Sequence, residues 1–327
     1  MRKSHEGCGI FFESRGGKES RFEDLVIEDC RVVRADRNGI CQRGGRGPRS
    51  RGVIIRRNRL EDIGGDGIKL WGSDGGVVEH NVLRGGRMRC EDAAAGIWPF
   101  DSDDSVIQFN EVCGMKGTKD GQGFDADYRC RRTLIQYNYS HDNEGGFMLV
   151  CAPGSSWNEG TVIRYNISQN DGVNSARLFH FGGAAKGTLV YNNTIYVGPK
   201  QDLPLLLFGA WDGGSASDTR FLNNIFYVDG RVTYDWGQAT NTVFESNVFF
   251  GTHVGAPFDP GAISNRPPLP APGTGSEGFA SLNGYRLRPG AEFPRGQIVP
   301  NNGGRDFFGN PVPADRAPRI GACEGSP

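Results

Sequence analysis

The chain has 327 residues, 37% of them apolar, and a formal net charge of -1. Fifty residues are glycine and 18 are proline, too much backbone punctuation for a helical bundle or a doubly wound α/β fold. The missing Gly-X-Y period excludes collagen, near-neutrality gives no reason to expect nucleic-acid binding, and no run of about 18 apolar residues is present to cross a membrane.

The first residues, MRKSHEGCGIFFES, contain no continuous apolar core of about 7–15 residues, so they do not read as a secretory signal. The first repeated element follows at once. GIFFE from Gly9 recurs as GICQR from Gly39, GIKLW from Gly67, GIWPF from Gly96, GFDAD from Gly123 and GFMLV from Gly146, with a degenerate copy, ARLFH, at Ala176. A second element runs in phase with it and ends at Cys30, Asn58, Asn81, Asn110, Asn138, Asn166, Asn193, Asn224 and Asn247. Its spacings are 28, 23, 29, 28, 28, 27, 31 and 23 residues. Both elements are short, β-branched or aromatic, and bounded by Gly, Asn and Asp, which predicts two strands per repeat. A unit of this size cannot enclose its own core, but stacked units bury a continuous apolar column. The predicted fold is all-β: a right-handed parallel β-helix of about nine coils, a rod of roughly 40 Å at the usual strand spacing. The repeated asparagine suits a turn that stacks on itself, since Asn tolerates left-handed backbone and its amide can bond its neighbours. That role, rather than glycosylation, is the reading for Asn138 and Asn166.

The organisation read from composition is a β-helix over 1–253, a Pro/Gly-rich connecting segment over 254–283, and a tail over 284–327 that packs on the rod or caps it. An uncapped first coil exposes a sheet edge that invites association; otherwise a monomer is expected. The eight cysteines match no CxxC or zinc-finger spacing, and two readings stay open for them: extracellular disulfides, or small buried fillers.

The paired repeats over about residues 8–250 resemble the pectin-lyase-like superfamily of right-handed β-helices. The segment GGRDFFGNPVPADRAPRIGACE, residues 303–324, resembles the closing segment of many bacterial β-helix carbohydrate-active proteins. The resemblance implies an extracellular or periplasmic protein acting on a polysaccharide or oligosaccharide. It does not choose among lyase, hydrolase, epimerase and non-catalytic adhesin, all of which this superfamily contains. A polygalacturonase-like motif set is missing. GFDAD is similar to the GFDPH of uronan C5-epimerases, but Ala126-Asp127 replaces Pro-His.

Alternation along the glycine-led strand predicts inward side chains one and three places after the glycine and outward ones two and four places after it. The outward stripe then contains Arg43, Lys69, Trp71, Trp98, Phe100, Asp125, Asp127, Met148 and Val150, with Arg177 and His180 from the degenerate copy. Aromatic rings stack on sugars, so Trp71, Trp98, Phe100 and Arg43 are candidate substrate-binding residues. Asp125 and Asp127 share a face with Cα atoms about 6.6 Å apart, and Asp101, Asp103 and Asp104 come one coil earlier. Two chemistries fit. In the first, Ca²⁺ held by Asp125, Asp127 and members of the Asp101, Asp103, Asp104 group clamps a uronate, and Lys69, Arg177 or His180 removes its C5 proton in a β-elimination. In the second, Asp125 and Asp127 are the carboxylate pair of a glycoside hydrolase. The metal-assisted lyase is the leading expectation and the hydrolase its alternative. His141, with Asp142 and Glu144 after it, reads as a solvated turn.

Overall fold

The computed structural model of the protein describes residues 6–15, 19–45, 47–174 and 176–325. Nine strands, from Val26–Glu28 to Val243–Glu245, form one continuous parallel sheet. They are the nine copies of the second repeat. Their pairing is in register from coil to coil, as in Val77↔Val106↔Leu134↔Val162. The glycine-led strands stack in a separate column, with Ile40, Ile68, Ile97 and Phe124 aligned. The chain is a parallel β-helix, as the repeat predicts.

Each coil carries a third strand that the sequence reading missed. It begins directly after the asparagine, in Arg59–Glu61, Val82–Arg84, Glu111–Cys113, Tyr139–His141 and Ile167–Gln169. The stretches 82–95 and 111–122, which lie between the two repeated elements, therefore start as strands. His141 lies on one of them and is buried, not in a solvated turn.

The interior is a column of aliphatic and aromatic side chains from all three strands, among them Ile55, Leu60, Ile68, Ile97, Ile107, Val112, Phe124 and Ile135. Large-to-small changes there leave cavities that a rod of short strands cannot close. The glycines that open the first strands have a steric reason. A Cβ on Gly96 would lie 2.2 Å from the carbonyl oxygen of Gly123 in the next coil.

The asparagines form an unbroken ladder. The backbone N–H of Asn110 donates to Asn138 Oδ1 at 2.9 Å, and its amide donates to the same oxygen at 3.0 Å and to the Val78 carbonyl at 2.9 Å. The pattern repeats from Asn58 to Asn247, where Asp259 accepts the last N–H and the last amide at 2.9 and 2.8 Å. The left-handed backbone expected at the asparagines belongs to the residues before them. Asp29, Arg57, His80, Phe109, Tyr137, Tyr165, Asn192, Asn223 and Ser246 all have φ between 48° and 58°, a conformation that costs a non-glycine residue roughly 1–2 kcal/mol. Asn138 and Asn166, both inaccessible, serve the ladder.

The C-terminal segment runs along the flank of the rod. Leu269, Leu282, Tyr285, Leu287, Val299, Phe307, Val312 and Ile320 pack on an outward face of tyrosines that includes Tyr137, Tyr139, Tyr165 and Tyr191. Polar clamps fix it: Asn192 Nδ2 donates to the carbonyls of Arg319 and Gly321, and Asn223 exchanges two hydrogen bonds with Gln297. A 3₁₀ helix, Phe279–Tyr285, is the sole helix among the described residues. Whether the first coil is covered at its end bears on residues 1–5, which lie outside the described residues. Cys41, Cys130, Cys151 and Cys323 are buried, which fits the filler reading.

Replacing Asn138 by Ala leaves the Asn110 N–H without its acceptor, and removes one hydrogen bond each from the Asn110 amide and the Ile107 carbonyl and one to Asn166 Oδ1. Each such loss costs about 1–3 kcal/mol. Denaturant unfolding of Asn138→Ala is expected to show a destabilisation of at least about 3 kcal/mol.

Candidate functional site

The site is built on the outward face of the glycine-led strands. Inward Ile68, Leu70, Ile97, Phe124 and Ala126 are completely buried, so the residues between them point away from the core. Trp98 pairs with Lys69 and Phe100 with Trp71; Asp125 and Asp127 follow in the next coil. The expected alternation then slips by one residue. Phe124 aligns with Met148 and Asp125 with Leu149, because Gly146 pairs with Gln122 and not with Gly123. A one-residue offset moves every side chain to the other face. Met148 and Val150 are thus core residues, and Leu149 and Cys151 take their places on the stripe. His180 follows Leu149, and Gly182 follows Cys151.

The middle of this stripe is an acidic trough. Asp125, Asp127 and the Cys151 thiol present donor atoms all within 4.8 Å of one another, and Cys151 Sγ lies 3.4 Å from Asp127 Oδ1. Asp125 is only 3% exposed. Burial, then the charges of Asp127 and Asp120, raises its carboxyl well above the usual range. Asp127 is partly accessible, and burial pushes it up to about 7 although the Tyr128 N–H, the Cys151 thiol and Lys69 act the other way. A third carboxylate, Asp120, comes from the turn before the strand. It too is raised by burial, against the pull of Arg177. Sequence reasoning missed Asp120, whose only signal was an Asp-Gly pair two residues ahead of the conspicuous GFDAD. Arg177 reaches over the trough from two coils on and donates to the Thr118 carbonyl at 2.6 Å. His180 is 7% exposed, stacks edge-on to Trp211, and is pushed down to about 3 by burial and by Arg177.

Comparison with known proteins agrees with this architecture. The family described as right handed beta helix region matches residues 8–195. The chain belongs to it. A curated relative of this β-helix, a lacto-N-biosidase from Bifidobacterium longum subsp. longum, is 31% identical over 323 residues and covers 84% of the chain. The chain spans 19% of that relative's length, about a fifth. Among solved structures, a complex of XylC with xylose aligns with a TM-score of 0.50 at 16% identity, covering 82% of this chain and 49% of that one. A GH136 lacto-N-biosidase from Eubacterium ramulus aligns at 24% identity with a TM-score of 0.48, covering 62% and 36%.

The β-helix does not bring all the predicted site residues together. Asp101 and Asp103 pair with Arg49 at 3.0 and 3.1 Å, Asp103 also accepts the Arg131 N–H, and Asp104 is bound by Arg132. Among the described residues no cluster of three donor side chains includes them. Asp125 and Asp127 cluster with a soft thiol and not with the Asp101, Asp103 and Asp104 group, so the oxygen-rich set expected for Ca²⁺ is not assembled as predicted. The aromatic group is also rearranged. Trp98 is 8% exposed and donates its indole N–H to Asp66. The Lys69 ammonium sits 4.2 Å from the Trp98 ring, 4.9 Å from Trp71 and 5.4 Å from Phe100, a cation held by three π-faces. Trp71 and Phe100 keep accessible edges. Arg43 lies over Trp71 and 3.4 Å from Glu13, at the far end of the stripe.

Lys69 is the cation that lowers both Asp125 and Asp127. Lys69→Met is expected to move the Asp127 titration upward from about 7. Carboxyl-carbon NMR across the pH range reads the direction; an unchanged or lower value contradicts the electrostatic account.

Proposed function

We propose that this chain is the β-helix of a glycoside hydrolase acting on a neutral oligosaccharide, with Asp120 and Asp127 as the working carboxylates. The observation that carries the reading is the contrast within the acidic trough. Asp125 is buried beneath the surface, whereas Asp120 and Asp127 are both partly accessible and both raised by burial. Hydrolysis of a glycosidic bond needs one carboxyl that holds a proton and one that is ionised. Asp127, at about 7, can donate a proton to the leaving oxygen near neutral pH. Asp120, which Arg177 draws toward its charged form, serves as the carboxylate. Asp125 supports the pair from below rather than acting on substrate, which changes the pairing expected from sequence.

The same features speak against the metal-assisted lyase. A floor of carboxylates repels a uronate unless a cation intervenes, and the Asp101, Asp103 and Asp104 group expected to help hold calcium is paired with arginines instead. His180 is too weak a base at about 3 to remove a C5 proton, and Lys69 is enclosed by aromatic rings. The name of the 31% identical relative, lacto-N-biosidase, supports glycosidic cleavage of an oligosaccharide.

Turnover of a panel of neutral and acidic oligosaccharides is expected to yield new reducing ends without near-ultraviolet absorbance of an unsaturated product. Asp127→Asn and Asp120→Asn should each lower kcat by about 10²–10⁴-fold with the fold intact by circular dichroism. Because the proton donor must be protonated, kcat/KM should fall as pH rises through about 7, the value of Asp127. Full activity in Asp120→Asn would overturn the pairing, and an unsaturated product would overturn the hydrolase.

A further inference from the structure

A second cluster lies on the third-strand column, away from the stripe that forms the trough. Glu111 and Cys113 are two residues apart on one strand and so share a face. Cys113 pairs in register with His141 of the next coil. The donor atoms of Glu111, Cys113 and His141 all lie within 4.8 Å of one another. Glu111 and His141 are 1% and 5% exposed, so the cluster is preorganised rather than a chance meeting of surface side chains.

We propose that Glu111, Cys113 and His141 bind a zinc ion, with the histidine ligating through Nε2 and the cysteine as thiolate. The distances favour this over a simple ion pair. His141 Nε2 stands 3.3 Å from Glu111 Oε1, long for a charge-assisted hydrogen bond of about 2.7–2.9 Å. It is the edge expected between two ligands of a tetrahedral zinc with bonds of about 2.0–2.1 Å, which is about 3.3 Å. On the other side of the ring, Nδ1 meets Asp142 Oδ2 at 2.8 Å. That contact keeps a proton on Nδ1 and turns the Nε2 lone pair toward Glu111 and Cys113, the carboxylate–histidine arrangement that orients metal ligands. The imidazole is further fixed by stacking on Tyr139, with centroids 4.3 Å apart. Glu111 is held by the Gly278 N–H, 3.1 Å from both its oxygens.

The chemistry of the donors selects the ion. One nitrogen, one sulfur and one carboxylate suit zinc and leave a fourth position for water. Zinc takes the place of a proton at Nε2 as the positive charge among these groups, and its binding displaces the thiol proton of Cys113. Arg84, 3.8 Å from Glu111, is paired with Glu277. A metal here would tie two coils to each other and, through Glu111, to the C-terminal segment at Gly278.

The test is direct metal binding by the whole chain after dialysis against a chelator. Zinc titration in competition with a chromophoric chelator is expected to give one equivalent, and Co²⁺ in its place should produce a thiolate-to-metal charge-transfer band in the near ultraviolet. Cys113→Ser should abolish the band, Asp142→Asn should weaken zinc about 10–100-fold, and Cys151→Ser, in the trough, should leave both unchanged. Failure of the wild-type protein to take up zinc at micromolar concentration overturns the proposal, as does a band that survives Cys113→Ser or disappears with Cys151→Ser.

Discussion

The asparagine ladder is the constraint on which this structure depends. Each rung ties a backbone N–H and a side-chain amide to the oxygen of the next asparagine, and it runs without interruption from Asn58 to Asp259. Each rung also fixes a residue in left-handed backbone that would otherwise relax. Spacing between rungs varies from 23 to 31 residues, yet the strands stay in register, since the turn and not the loop length sets the phase. A face on which one side chain stands directly above its equivalent follows from that phase. The acidic trough is one such face, and the Glu111, Cys113 and His141 cluster is another.

The parts of the fold legible in the sequence are those that the ladder repeats. Nine strand-ending positions and six glycines were enough to infer the coils and to place Asp125 and Asp127 on an outward face. The third strand escaped because its pattern is one inward residue two places after the asparagine, and at Ser140 and Ser168 that residue is not even apolar. The offset at Gly146 was hidden because the glycine kept its place in the sequence repeat while pairing with Gln122 instead of Gly123. Asp120 was passed over because it belongs to a turn and enters the trough only through folding. The trough is therefore half legible: its floor lies on a strand with a readable period, and its wall does not.

The aspartates show how neighbours decide what a residue type becomes. Asp104 is met one coil later by the Arg132 guanidinium, and Asp103 by Arg131 at 3.9 Å as well as by Arg49 at 3.1 Å. Asp125 and Asp127 are met instead by Leu149 and Cys151. Without a guanidinium on the following coil, burial raises both carboxyls above the usual range. The arginine-poor interval along the rod thus marks the chemistry more sharply than the aspartates do.

The C-terminal segment adds something that a stack of coils does not have. In a simple solenoid each repeat touches only its neighbours, and folding can begin anywhere and spread. Here Gly278 reaches back 167 residues to Glu111, and the Arg305 carbonyl reaches back 168 to Tyr137. These closures span several coils at once, so the tyrosine flank is sealed only once residues 269–323 have been made. During synthesis the rod would emerge with one side unsealed, and its final stability would arrive late and all together, as a strap pulled tight rather than a zipper run closed.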